Sequence, residues 1–140
     1  MSLLKEFENF YRNMSVTSIA RLGDIYAQNA TLIDPLSEHQ GLENIQGYFE
    51  NLLTNTSKCE CSIQHITQQS TDIFVTWKML IVHPKLNSGN EFYIDGISHL
   101  KSNDEKIIFH RDYYDLGEMI YEQVPVLKFV IKTLKKRLVS

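Results

Sequence analysis

Two cysteines, three prolines and six glycines among 140 residues are too few for a disulfide-stapled, fibrous or low-complexity chain. Cys59 and Cys61 stand two apart, which on a strand puts both thiols on one face about 6.6 Å apart along the chain. That geometry suits a disulfide poorly, so buried, reduced thiols are expected. The five histidines, at 39, 65, 83, 99 and 110, form no HxH or HExxH pattern, and neither a metal nor another cofactor is expected. Long apolar runs are also missing. The most apolar stretch, Val124 to Ile131, is broken by Pro125 and Lys128 and falls short of the ~20 residues that cross a bilayer. Lys5, Glu6 and Glu8 occupy the place where a secretory leader would be apolar, so a cytoplasmic protein is expected.

An excess of positive charge is absent as well, the formal net being −3. Five of the 14 basic residues, Lys128, Lys132, Lys135, Lys136 and Arg137, lie near the C-terminus; residues 1–125 hold nine against 17 acids, a net of −8. An acidic body repels phosphate backbones, which disfavours general nucleic-acid binding.

What remains is an ordinary globular balance, 43% apolar and 22% charged, in a chain long enough for one core and too short for two ordinary domains. A single domain over residues 1–140 is expected, with its core over about 3–117 and a C-terminal helix over about 124–138. Leu4, Phe7, Tyr11 and Met14 recur at helical spacing, with Leu3 and Phe10 widening the stripe, and predict a helix over 3–14 capped by Ser2. Ile19, Leu22 and Tyr26 predict a second helix over 18–28. Residues 30–34 read as a short strand that stops at Pro35, leaving Asp34 at its end. A loop over 37–40 follows, and then a third helix from Gly41 to near Asn55, with Leu42, Ile45, Phe49, Leu52 and Leu53 on one side.

From Cys59 to Asp115 the pattern is strand, broken into 59–68, 73–83, 91–101 and 106–115. Connections this short suit an antiparallel meander, and strands of about ten residues twist and curl. The fold class expected is therefore α+β: a curved antiparallel sheet against N-terminal helices, enclosing a hollow, with an extra C-terminal amphipathic helix. Strand 73–83 is apolar along Ile73, Val75, Trp77, Met79 and Ile81 and partly apolar along Phe74, Leu80 and Val82, so both its faces should be covered. One face lines the hollow, and the other is free to meet a partner subunit.

The segment YAQNATLIDPLSEHQGLENIQGYFENLL (residues 26–53) and the late strand IIFHRDYYD (107–115) resemble the nuclear transport factor 2-like superfamily. Within it they are most similar to the SnoaL-like polyketide cyclases, steroid delta-isomerases and limonene epoxide hydrolases. The resemblance implies a cone-shaped α+β barrel, a homodimer through the outer sheet face and a small apolar ligand between helices and sheet. It makes Asp34 a match to the proton-shuttling base of the isomerases and Asp112 a match to the pocket acid of the epoxide hydrolases. His110, two residues before Asp112 on the same strand face, is a candidate second proton carrier, with a hydrogen-bonded sheet residue as its other reading. Tyr11 comes near the isomerases' oxyanion tyrosine, although the ungapped match is Phe10. Tyr11, Phe10, Trp77, Tyr114, Phe49 and Tyr26 are the expected ligand-binding residues.

A carboxylate in an apolar cavity is desolvated and becomes a better acid or base near neutral pH. Asp34 has a second reading as a turn former, since Asp before Pro commonly starts a turn. The acid that completes the isomerases' oxyanion hole would fall at Ile97 or Ser98, and the hydrolases' Arg-x-Asp pair near 75–77, where neither residue type stands. Two functions follow: acid–base chemistry of an isomerase or cyclase type, or a non-catalytic ligand-binding or dimeric module. The basic amphipathic helix is expected to pack over the sheet or the pocket mouth, with attachment to a membrane surface as the alternative.

Overall fold

A computed structural model describes residues 2–139. Helix α1 spans Leu3–Arg12, with the Ser2 hydroxyl accepting from the Lys5 amide, and buries Phe7, Phe10 and Tyr11. The expected second helix is instead a 3-10 segment, Val16–Asp24, closed at its start by reciprocal Ser15 and Ser18 bonds. Strand β1, Tyr26–Ile33, begins four residues before the expected strand, so Tyr26 belongs to the sheet. The helical spacing misled because Ile19 and Leu22, three apart, also share a face in a 3-10 turn, while Tyr26 is already in β1.

After the Asp34–Pro35 turn, the expected loop contains a three-residue strand, β2 (Glu38–Gln40), which pairs with β1. Gly41, at φ 88°, then opens α2, Leu42–Asn55, which buries Leu42, Ile45 and Phe49. The four long strands β3 (Lys58–Gln69), β4 (Asp72–Val82), β5 (Phe92–Ser102) and β6 (Ile107–Tyr114) form the expected antiparallel meander. The six-stranded sheet has the order β2-β1-β6-β5-β4-β3, and β1 runs parallel to β6. That one parallel pairing sets Leu32 beside His110, bringing the N-terminal third of the chain against the last strand.

Alternation then sorts the side chains. Ile73, Val75, Trp77 and Ile81 of β4 and Phe92, Ile94, Ser98 and Leu100 of β5 are buried on the face toward α1 and α2. Phe74, Tyr93, Ile97 and Tyr113 are exposed on the other. The inner face is packed by aromatic rings more than it is hollow: Phe10 and Tyr11 each meet Phe49 edge to face, at 5.4 and 5.8 Å between centroids. Each such fully buried ring stabilises the fold by roughly 1.5–3 kcal/mol.

The chain ends in a short helix α3 (Leu116–Met119), a turn at Tyr121–Gln123 and α4 (Pro125–Val139). Helix α4 does not lie over the sheet or the pocket mouth as expected. It buries no side chain and contacts the rest of the molecule chiefly through the Tyr121–Gln123 turn. No described helix is long and apolar enough to cross a membrane.

Candidate active site

Three inward residues of β6 organise the site, because alternation sends His110, Asp112 and Tyr114 to one face. His110 is buried beneath α1, and Asp112 lies next along the strand with its side chain 18% exposed. The Asp112 Oδ1 atom accepts two hydrogen bonds, from Ser98 Oγ at 2.5 Å and from His110 Nε2 at 2.6 Å. The Trp77 indole N–H donates to Ser98 Oγ at 2.9 Å. On the other side, His110 Nδ1 is 2.7 Å from the Tyr26 hydroxyl, which is 2.8 Å from the Tyr11 hydroxyl.

With Asp112 as a carboxylate and His110 neutral, one proton arrangement satisfies every contact. His110 Nε2–H donates to Asp112, Nδ1 accepts from Tyr26, and Tyr26 accepts from Tyr11. Trp77, Ser98, Asp112, His110, Tyr26 and Tyr11 thereby form one continuous chain across β4, β5, β6, β1 and α1. Its bonds all point toward one oxygen. The second oxygen, Oδ2, accepts no protein hydrogen bond among the described residues.

A small cavity opens here, lined by Phe7, Tyr11, Val75, Trp77, Ser98 and Asp112 among others. It leaves about 20 Å³ for the centre of a water molecule, room for about one water. The wide hollow expected from a curled sheet is thus largely filled, because Phe7, Phe10, Tyr11, Phe49 and Trp77 occupy it. One step along the same sheet face lies a second, more open groove of about 220 Å³. Leu36, Tyr48, Leu52, Ile81, Leu86 and Met119 give it an apolar wall, and Tyr114 stands on its inner side. Since Tyr114 follows Asp112 on that face and its ring lies 6.2 Å from that of Trp77, this aromatic pair separates groove from cavity.

Asp34 sits at the groove's edge with both oxygens engaged. Its Oδ1 accepts from the Leu36 and Ser37 amides at 2.8 and 2.9 Å, and its Oδ2 from the Tyr48 hydroxyl at 2.8 Å. This is the turn-forming role, with an added tie to α2. Burial raises the Tyr48 and Tyr114 hydroxyls well above their ordinary range, and Asp34 and then Asp112 add to both shifts. Both carboxylates therefore act electrostatically on Tyr48 and Tyr114.

Of the expected site residues, Trp77, Asp112, His110, Tyr26 and Tyr11 share the hydrogen-bonded chain and Tyr114 lines the groove. Phe10 and Phe49 are ring-packed core. Tyr11, the residue one off the ungapped match, holds the cavity position because α1 turns its side chain, and not that of Phe10, toward Tyr26. Ser98 and Tyr48 were not expected in the site. Ser98 was within reach of sequence reasoning, since the meander's register sets it directly opposite Asp112.

Cys61 also lines the cavity, and burial pushes its thiol up from 9.0 to about 12, with lesser help from Cys59 and Asp112. Cys59, whose thiol faces Met79 Sδ at 3.7 Å, is pushed by burial to about 11. Both folded-state values exceed the unfolded ones, so the folded protein holds these protons more tightly. That stability is fully present below about pH 9 and is lost as pH rises through the range 9 to 12. Thermal unfolding at stepped alkaline pH should show the midpoint falling across this range, and Cys61→Ala should fall less steeply; identical slopes would exclude the thiol's contribution. Among the described residues no three His, Cys, Asp or Glu side chains converge as a metal centre would need.

Residues 7–110 match the SnoaL-like domain family. No curated protein matches the sequence significantly. Among solved structures, the chain is similar to a hypothetical protein of ketosteroid isomerase-like fold from Catenulispora acidiphila DSM 44928, in complex with trimethylamine. That match is 15% identical, with a TM-score of 0.73 over 86% of this chain and 90% of the other. A candidate SnoaL-like polyketide cyclase from Shewanella putrefaciens CN-32 is 14% identical, with a TM-score of 0.71 over 89% and 94%. TerC, co-crystallised with polyporic acid, is 12% identical, with a TM-score of 0.66 over 81% and 88%.

Proposed function

Because the chain belongs to the SnoaL-like domain family, we propose that it binds a small apolar carbonyl compound beside Asp112 and moves a proton on it. The observation that carries this reading is the hydrogen-bonded chain ending on Asp112 Oδ1, which leaves Oδ2 free on a residue lining an apolar cavity. A base held in this way accepts an acidic C–H proton next to a carbonyl without first breaking a protein contact. Ser98 and His110 fix the carboxylate's orientation and stabilise its charge. Tyr11 lines the same cavity, and turning its O–H from Tyr26 to a developing enolate would supply the donor that the enolate needs. Returning the proton to the same or another carbon completes an isomerase- or cyclase-type step.

The groove between α2 and the sheet is the place for the ligand's apolar body, and Tyr114 must turn aside for a carbonyl to reach Asp112. The solved relatives that hold trimethylamine and polyporic acid support a fold that accepts small organic molecules. The experiment is solvent deuterium exchange into a panel of cyclic ketones and β-diketones, followed by NMR. Exchange well above the buffer rate is expected; none across the panel would sink the catalytic reading.

The small enclosed volume favours a second reading, a non-catalytic binding module, which predicts ligand-induced shifts in the Tyr114 and Trp77 signals without exchange.

The outer sheet face supports a homodimer. Phe74, Tyr93, Ile97 and Tyr113 expose 37–51% of their surface there, as an apolar patch on β4, β5 and β6. Sedimentation velocity should give a dimer that Tyr93→Lys dissociates. A monomer at all concentrations would contradict it.

A further inference from the structure

The stripe of α4 that the sequence marks as core-facing faces solvent. Val126, Leu127, Val130, Leu134 and Leu138 are 43–85% exposed, and Phe129 beside them is 73% exposed. Five residues on a single arc of a 15-residue helix, ~22 Å long, form a continuous apolar strip. Lys128, Lys132, Lys135 and Lys136 occupy the opposite arc, with Arg137 near the strip's C-terminal end. The helix contains no acidic residue, and among the described residues only Lys135 has an acidic partner, Glu122 at 3.2 Å.

We infer that α4 binds the surface of an anionic lipid bilayer, with its apolar strip in the acyl boundary and its lysines among the headgroups. An anionic bilayer surface offers hydrocarbon and negative charge together and so satisfies both arcs of this helix. Pairing with α4 of a second copy would cover the apolar strip but leave the lysine arc, apart from Lys135, without a counter-charge. The apolar groove beside α2, at about 220 Å³, is too small to seat a strip of five side chains from another copy. The acidic body, at a net of −8, is repelled by the same surface, so the helix stands as the contact and the body remains off the lipid. Exposed lysine stems beside the strip lie along the apolar boundary while their ammonium groups reach the phosphates.

The test is flotation of the full chain with phosphatidylcholine vesicles, with and without phosphatidylserine. At least about tenfold tighter binding to the anionic vesicles is expected, weakening as salt rises. Lys128→Gln/Lys132→Gln/Lys136→Gln should abolish the anionic preference, and Leu127→Ser/Leu134→Ser should abolish binding to both. All five side chains are exposed, and unchanged far-UV circular dichroism confirms an intact fold. Equal, negligible binding of the full chain to both vesicles overturns the inference. So does a change in oligomeric state caused by Leu127→Ser/Leu134→Ser, which would assign the strip to a second copy.

Discussion

Asp112→Asn is expected to lower the rate of deuterium exchange into a ketone ligand by about 10²–10⁴-fold, equivalent to about 3–5.5 kcal/mol of barrier. The substitution leaves Oδ1 able to accept from Ser98 and His110, so the chain of hydrogen bonds and the fold persist. What it removes is the carboxylate oxygen that the proposed mechanism uses as proton acceptor. Asp34→Asn is the matched control. The carboxamide it introduces can still accept from the Leu36 and Ser37 amides, and only a good acceptor for Tyr48 is lost, so the exchange rate should stay within about tenfold of wild type. The measurement is the initial exchange rate under saturating ketone, with thermal midpoints showing that both variants are folded. Equal losses in the two variants would mean that the carboxylates act together, and a loss only in Asp34→Asn would move the base to the turn.

The second large effect is on stability and comes from a residue with no side chain. Gly96 lies directly across from Trp77 in the β4–β5 pair, and the indole ring lies over it. A Cβ built at Gly96 would stand 2.2 Å from two ring atoms of Trp77, far inside contact distance. Trp77 is 6% exposed and its N–H is committed to Ser98, so the ring cannot move aside without losing packing and a hydrogen bond. Gly96→Ala should therefore cost about 2–4 kcal/mol, roughly a 10 °C fall in Tm. Gly47→Ala is the contrast: nothing lies within 4 Å of its added Cβ, and Gly47 is inside α2, so that change should stabilise by about 0.5–1 kcal/mol. Chemical denaturation of the two variants tests the pair. A Gly96→Ala variant as stable as wild type would show that the Trp77 ring is free to relocate, and the supply of a donor to Ser98 would then not depend on its packing.

The two experiments meet at Asp112. Trp77 holds Ser98, Ser98 holds Asp112, and a displaced indole should also slow exchange in Gly96→Ala, through orientation of the base and not through its removal. In the proposed mechanism Trp77 and Ser98 are therefore positioning residues. Ser98→Ala should lower the exchange rate less than Asp112→Asn does, because His110 continues to hold Oδ1.

Much of this arrangement is legible in the sequence. Alternation along IIFHRDYYD places His110, Asp112 and Tyr114 on one face whatever the partners are, because strand geometry is local. The breaks near 70, 87 and 104 fix a meander, and the meander's register puts Ser98 opposite Asp112. Proline after Asp34 ends β1 and leaves the carboxylate beside the amides of its own turn, a contact spanning only three residues. The charge division between an acidic body and a basic C-terminal helix is likewise written in composition alone.

Other features depend on contacts distant in sequence, where local pattern is silent. The parallel pairing of β1 with β6 brings Tyr26 within hydrogen-bonding reach of His110, 84 residues away, and no periodicity in either segment encodes that pairing. The early start of β1 follows from it, since a strand with a neighbour to pair with competes successfully against the helix that its spacing suggested. How full the hollow is depends on volumes: five aromatic side chains from α1, α2 and β4 fill what a curled sheet would otherwise leave open. The fate of α4's apolar strip was open for the same reason, because a helical stripe specifies which side wants cover and not what covers it. The sequence by itself thus determined the meander of the four long strands, the face on which the acid lies and the charge of each end, all of them consequences of local pattern. Only the tertiary structure decided that Asp112 keeps a free oxygen, that Asp34 does not, and that the pocket between them is a narrow cavity beside an apolar groove, because each of these is settled by which distant side chains meet there.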